Sequence, residues 1–183
     1  MSFSNVQIDV DALPRMEGLV YLPLQQQYRT VLVLKRSIFL LIITLIVGSL
    51  VLGTYMDPLP EGNTLLRVIL LTLLILLIII SYVSVLRGFV HKAYALRSHD
   101  IIYKTGWLWK RITTAPFNRV QHVSIDQGPL ERQFGLSRLK IYTAGGTASD
   151  LTIPGLDPAT AHELKEYIVA KTESRDAPSD EEQ

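Results

Sequence analysis

Few residues in this chain could carry chemistry. Its histidines stand at 91, 99, 122 and 162. No two are four apart, the spacing that places two ligands on one helix face, and no carboxylate-rich motif accompanies them, so no metal site is expected. The absence of cysteine removes disulfides, thiolate metal sites and thiol nucleophiles. Gly145-Gly146-Thr147 lacks the rest of a phosphate loop, and no serine sits in a nucleophile elbow. The expectation is a protein without enzyme activity or cofactor.

The residues that stand out are aromatic and cationic. Trp107, Trp109, Lys110 and Arg111 cluster within a stretch, 87–140, that holds ten Lys and Arg against three acids. Such a surface suits the anionic headgroups of an inner leaflet. Each juxtamembrane cation contributes about 1 kcal/mol there, and Trp favours the interface. The plainer reading is a strand, 107–114, with core or edge tryptophans and solvated charges. Arg119 and Gln121, next to His122, form a second candidate surface. They suit either recognition of a partner or hydrogen bonds that hold the neighbouring loop at 128–135. In that loop Gly128, Pro129 and Gly135 set the chain's path, since Gly allows positive φ and Pro fixes φ. A formal net charge of +1 gives no case for nucleic acid as a partner.

The elements that must position these residues begin with two apolar runs. Residues 37–56 contain 20 residues without a charge. As a helix they reach about 30 Å, the thickness of a bilayer core. Residues 65–86 form a second run with one charge, Arg67, close enough to its start to snorkel to the headgroups. Between them, residues 57–64 contain two prolines, a glycine and an asparagine, which make a tight turn. The expected architecture is a two-helix transmembrane hairpin over 37–86. Arg29, Lys35 and Arg36 precede it and Arg87, Lys92 and Arg97 follow it. The positive-inside rule then puts both termini in the cytoplasm. No ionised residue falls mid-span, which argues against a proton or ion pathway.

Residues 1–36 form an N-terminal cytoplasmic segment. Residues 1–24 show no clear period and read as extended or weakly ordered. Residues 25–36 carry Tyr28, Val31, Leu32 and Lys35 at helical spacing, a possible amphipathic lead-in to the first span. Residues 173–183 are acidic and read as a disordered tail.

After the second span the pattern changes to short β-type runs separated by turn signals, over 87–172. The run at 138–143 alternates, with Leu139, Ile141 and Thr143 on one face. Asp157 suits an N-cap and Pro158 the first helical position. Ala161, Leu164 and Ile168 then fall on one helical stripe, with Tyr167 beside it. Six or seven strands and a terminal helix make a small sandwich or open barrel.

Four segments carry a resemblance: YALRSHDIIYKTGW at 94–107, PFNRVQHV at 116–123, GPLERQFG at 128–135 and LKIYTAG at 139–145. Together they resemble the bacterial pleckstrin-homology-like domain, in the membrane-anchored form with two transmembrane helices before the domain. The resemblance implies a pleckstrin-homology fold, a bent β-barrel or sandwich capped by a C-terminal helix, and no known catalytic reaction. It also implies a bacterial inner-membrane complex with a larger pleckstrin-homology-like relative, and links to envelope stress or antimicrobial-peptide resistance. The turn at 98–100 lacks the Lys and Arg cluster of lipid-binding eukaryotic relatives, so headgroup recognition does not follow from the fold. The functional expectation is a membrane-anchored interaction module that binds anionic inner-leaflet lipids and a membrane protein. The alternative is an accessory subunit of a lipid- or peptide-handling transporter or export system.

Overall fold

The structure, a computed structural model, describes residues 18–56, 63–144 and 151–176. Two long helices stand near the start of the chain. Helix α1 is Gln27–Met56 and α2 is Asn63–Val90, 30 and 28 residues respectively. At 1.5 Å per residue each exceeds 40 Å, about 10 Å more than a bilayer core needs. The lead-in segment and the first apolar run are therefore one continuous helix. The helices pack against each other as a hairpin. Ser37 and Tyr82 share a hydroxyl hydrogen bond of 2.8 Å across the pair. Most of their Leu, Ile and Val side chains are exposed, as lipid-facing residues are. The turn expected at 57–64 lies almost wholly outside the described residues.

Among the described residues seven strands form two antiparallel sheets. The first contains β1 (Leu22–Pro23), β2 (Ala93–Leu96), β3 (Asp100–Thr105) and β4 (Arg111–Pro116), in that order. The second contains β5 (Val120–Asp126), β6 (Ser137–Thr143) and β7 (Leu151–Leu156). A single 3-10 turn at Phe117–Arg119 joins the sheets, and a short helix α3 (Pro129–Gln133) lies between β5 and β6. Helix α4 (Pro158–Asp176) packs on β5, β6 and the 3-10 turn. The barrel is not closed: β4 and β5 belong to separate sheets. This is the pleckstrin-homology-like arrangement of a bent β structure with a C-terminal helix.

The sequence periods explain the core. Leu139, Ile141, Ile153 and Ile168 have no exposed surface, and Ala161 and Leu164 are buried beside them. The inward set on β6 and the stripe on α4 are thus those that the alternation and the helical spacing predict. The Asp157 carboxylate accepts the Ala159 N–H at 3.0 Å, the capping role expected of it.

Three elements differ from expectation. Residues 107–114 are not one strand: β4 begins only at Arg111, paired with Thr105. Gly106, at φ +98°, turns the chain, and a Cβ there would overlap the Trp109 carbonyl. Residues 106–110 are consequently the connection of a hairpin. The loop at 128–135 contains a helix, because Pro129 takes its first position and the Glu131 side chain accepts the Gly128 N–H at 2.8 Å. Residues 173–176, expected in the tail, continue α4. The turn at 145–147 and residues 177–183 lie outside the described residues.

The segment before the first span also contributes more than an extended lead-in. Leu22 pairs with Tyr94 and Pro23 with Ala93. Leu24, Tyr28 and Val31 then enter the same core as Phe89, Leu156 and Ile168. Residues on both flanks of the helix hairpin therefore share one core.

Candidate functional site

Trp107, Trp109, Lys110 and Arg111 are brought together by the β3–β4 hairpin. Trp107 is 38% exposed, Leu108 77% and Trp109 84%. Ile112, on β4, is also exposed, giving a run of apolar side chains rarely left to water on a small domain. The Arg87 guanidinium, in the last turn of α2, lies 5.9 Å from the centroid of the Trp107 ring. That cation–π contact fixes the hairpin tip beside the membrane helix. Among the described residues β4 pairs with β3 on one side and with no strand on the other. Its backbone donors and acceptors on that side form an open edge.

Arg119 and Gln121 are not part of this surface. Arg119 ends the 3-10 turn, and Gln121 sits at an irregularity where the β5 register shifts between Val120 and His122. Both side chains are exposed. They lie at the far end of β4 from the tip, a strand length of about 20 Å. The neighbouring loop is held by other side chains. Gln127 Nε2 donates to the Leu136 carbonyl at 3.2 Å and meets Ser137 Oγ at 2.9 Å.

Two features with no distinctive sequence signal complete the picture. The first is Arg87, which looked like one more flanking cation. The second is Glu131, which is 1% exposed. Its carboxylate accepts hydrogen bonds from the Gly128 N–H, from Arg138 Nε at 3.0 Å and Nη2, and from Lys35 Nζ at 3.0 Å. Burial pushes this carboxyl's pKa up, but the bonds from Arg138, Gly128 and Lys35 outweigh it and hold the group below the usual carboxylate range. Lys35 belongs to α1 and Arg138 to β6, so a buried carboxylate ties the membrane helix to the domain. Only a periodic scan for an acid inside an otherwise cationic stretch would have drawn attention to it.

The turn between β2 and β3 is self-contained. Arg97 Nε donates to Asp100 Oδ1 at 2.6 Å, and its Nη2 meets Oδ2. The histidines make local contacts: His91 Nδ1 lies 2.8 Å from the Arg87 carbonyl, His162 Nδ1 lies 2.9 Å from that of Pro158, and His122 stacks on Tyr142.

These features define a class: a transmembrane helical hairpin that carries a pleckstrin-homology-like β domain. The bacterial PH domain family matches residues 31–172, and the chain belongs to that family. It is also 35% identical, over 75 residues, to the UPF0699 transmembrane protein YdbS of Bacillus subtilis (strain 168). The matched stretch covers 41% of this chain and 45% of that protein, so the chain spans about half the length of this curated relative. No solved structure matches the chain.

Proposed function

We propose that the protein is a non-enzymatic interaction module, held at the cytoplasmic face of a bacterial inner membrane, that joins a second membrane protein in a complex. The observation that carries this reading is the β3–β4 hairpin, where exposed Leu108, Trp109 and Ile112 adjoin the open edge of β4. An edge of this kind accepts a partner strand through backbone hydrogen bonds, while the apolar side chains beside it supply selectivity. Large aromatics are the residues most often found to dominate such interfaces. Anchorage confines both proteins to one membrane and raises their effective concentration, so a small contact area suffices. A partner carrying further copies of the same domain would fit, since its own edges could complete the sheet. The positive-inside distribution of Arg29, Lys35, Arg36, Arg87 and Lys92 supports the cytoplasmic placement.

The test is purification of the tagged full chain in a mild detergent, with identification of what accompanies it. A stoichiometric membrane protein is expected, lost on Trp109→Asp or Ile112→Asp while the melting temperature of the chain is kept. A chain that purifies alone and monomeric overturns the reading.

A further inference from the structure

A groove opens where the two membrane helices meet the domain. Its domain end is a cavity of about 220 Å³ where Gln26, Arg29 and Lys92 stand beside apolar Leu24, Phe89 and Val90. A second cavity, of about 530 Å³, shares Gln26 and Arg29 and continues along the helices past Val33 and Leu86. The two adjoin at Gln26 and Arg29, with Lys92 at the domain end and Val33 and Leu86 toward the bilayer. No described residue lining either cavity is acidic. Lys92 is partly buried, with its Nζ 5.5 Å from the centroid of the Tyr28 ring. Among the described residues no carboxylate forms a salt bridge with Arg29 or Lys92. Burial holds the Lys92 ammonium below its usual pKa, as is expected of a cation taken from water without a counter-charge.

We infer that this groove binds one anionic phospholipid of the adjoining leaflet, with its phosphodiester headgroup between Arg29 and Lys92 and an acyl chain along Val33 and Leu86. The order of chemistry along the groove matches the order along a lipid. A phosphodiester supplies the missing counter-charge, and Gln26 adds a neutral hydrogen-bonding group beside it. Both cations stand at the ends of membrane helices, where leaflet headgroups lie. A soluble phosphate would satisfy the cations but would leave the apolar half of the path unfilled. The lipid site uses none of the residues of the partner surface, so the two proposals stand or fall separately.

The experiment is native mass spectrometry of the full chain purified in a nonionic detergent and exposed to defined lipid. With phosphatidylglycerol, a single-lipid adduct is expected, at least fivefold more abundant than with phosphatidylcholine at equal concentration. Arg29→Gln, at an exposed position, should reduce that adduct several-fold, and Arg29→Gln with Lys92→Gln should abolish it. Arg132→Gln, an exposed cation on α3, should leave it unchanged. Glycerol phosphate, the headgroup chemistry without acyl chains, should not displace the lipid at equal concentration. Equal adducts with both lipids, an adduct insensitive to Arg29→Gln, or ready displacement by glycerol phosphate would each overturn the inference. The single Arg29→Gln variant keeps the test decisive if the double variant fails to fold.

Discussion

The ring of Tyr28, the second residue of the first membrane helix, lies directly against the backbone of Gly155 on the last strand. A Cβ at Gly155 would overlap Cγ, Cβ and Cδ1 of Tyr28, and Gly155 itself has φ +66°. The same junction includes a hydrogen bond from the Gln25 N–H to the Gly155 carbonyl at 3.0 Å. Helix and domain are therefore in contact at backbone range rather than joined by a flexible linker.

Gly155→Ala is expected to destabilise the protein by about 2–4 kcal/mol, from a left-handed backbone now carrying a side chain and from overpacking against the ring. Thermal unfolding of the purified chain checks it. Gly88→Ala in α2 is the comparison, because a Cβ there meets nothing within 4 Å. That variant should be neutral or slightly stabilising, since Ala is the better helix former.

Glu131→Ala should cost about 1–3 kcal/mol. The value falls at the lower end for a buried ion pair because Lys35 and Arg138 are only partly buried and can turn to water. The native carboxyl titrates below its ordinary value near 4.5. Its contribution is therefore complete above that pH and declines as pH falls through the native value, the unfolded chain taking up the proton first. Urea unfolding between pH 7 and pH 3 should show this loss in the parent chain and a smaller one in Glu131→Ala.

Tyr82→Phe removes the hydroxyl that Ser37 meets across the helix hairpin. Hydrogen bonds between membrane helices contribute about 0.6 kcal/mol on average. A small loss of that size is expected, with no change in the domain's β content by circular dichroism. A loss of several kcal/mol would show that the hairpin depends on this bond.

The absence of cysteine makes the orientation directly measurable. Ser98→Cys, at the exposed turn between β2 and β3, should react with a membrane-impermeant maleimide only after cells are opened. Labelling of intact cells stripped of their outer barrier would place the domain on the opposite face.

Much of the fold was legible because the deciding signals are local. Two apolar runs of bilayer length, the alternation at Leu139 and Ile141, and the stripe Ala161, Leu164 and Ile168 all lie within one element each. The pairing of Leu22 with Tyr94 does not. It joins residues on either side of the whole hairpin, and a two-residue strand has no period to read. The misreading of 107–110 as strand has a different cause. Trp107 and Trp109 alternate as strand residues do, but Gly106 turns the chain, and the register of Arg111 opposite Thr105 leaves them in the connection. Of the candidate surface residues, the sequence grouped Trp107, Trp109, Lys110 and Arg111 through adjacency alone. Arg87 and Glu131 took their importance from contacts far along the chain.

The strand that precedes the first span and the strand that follows the second complete one sheet. During synthesis, β1 emerges before either helix has entered the bilayer and must wait for β2. It finds that partner only if both helices cross and the chain returns to its starting side. A chain that inserts one helix, or inserts the pair in mismatched senses, leaves Leu24, Tyr28 and Val31 without the core they share with Phe89 and Leu156. The smallest strand of the sheet is thus the one whose pairing depends on the path of the whole helix pair.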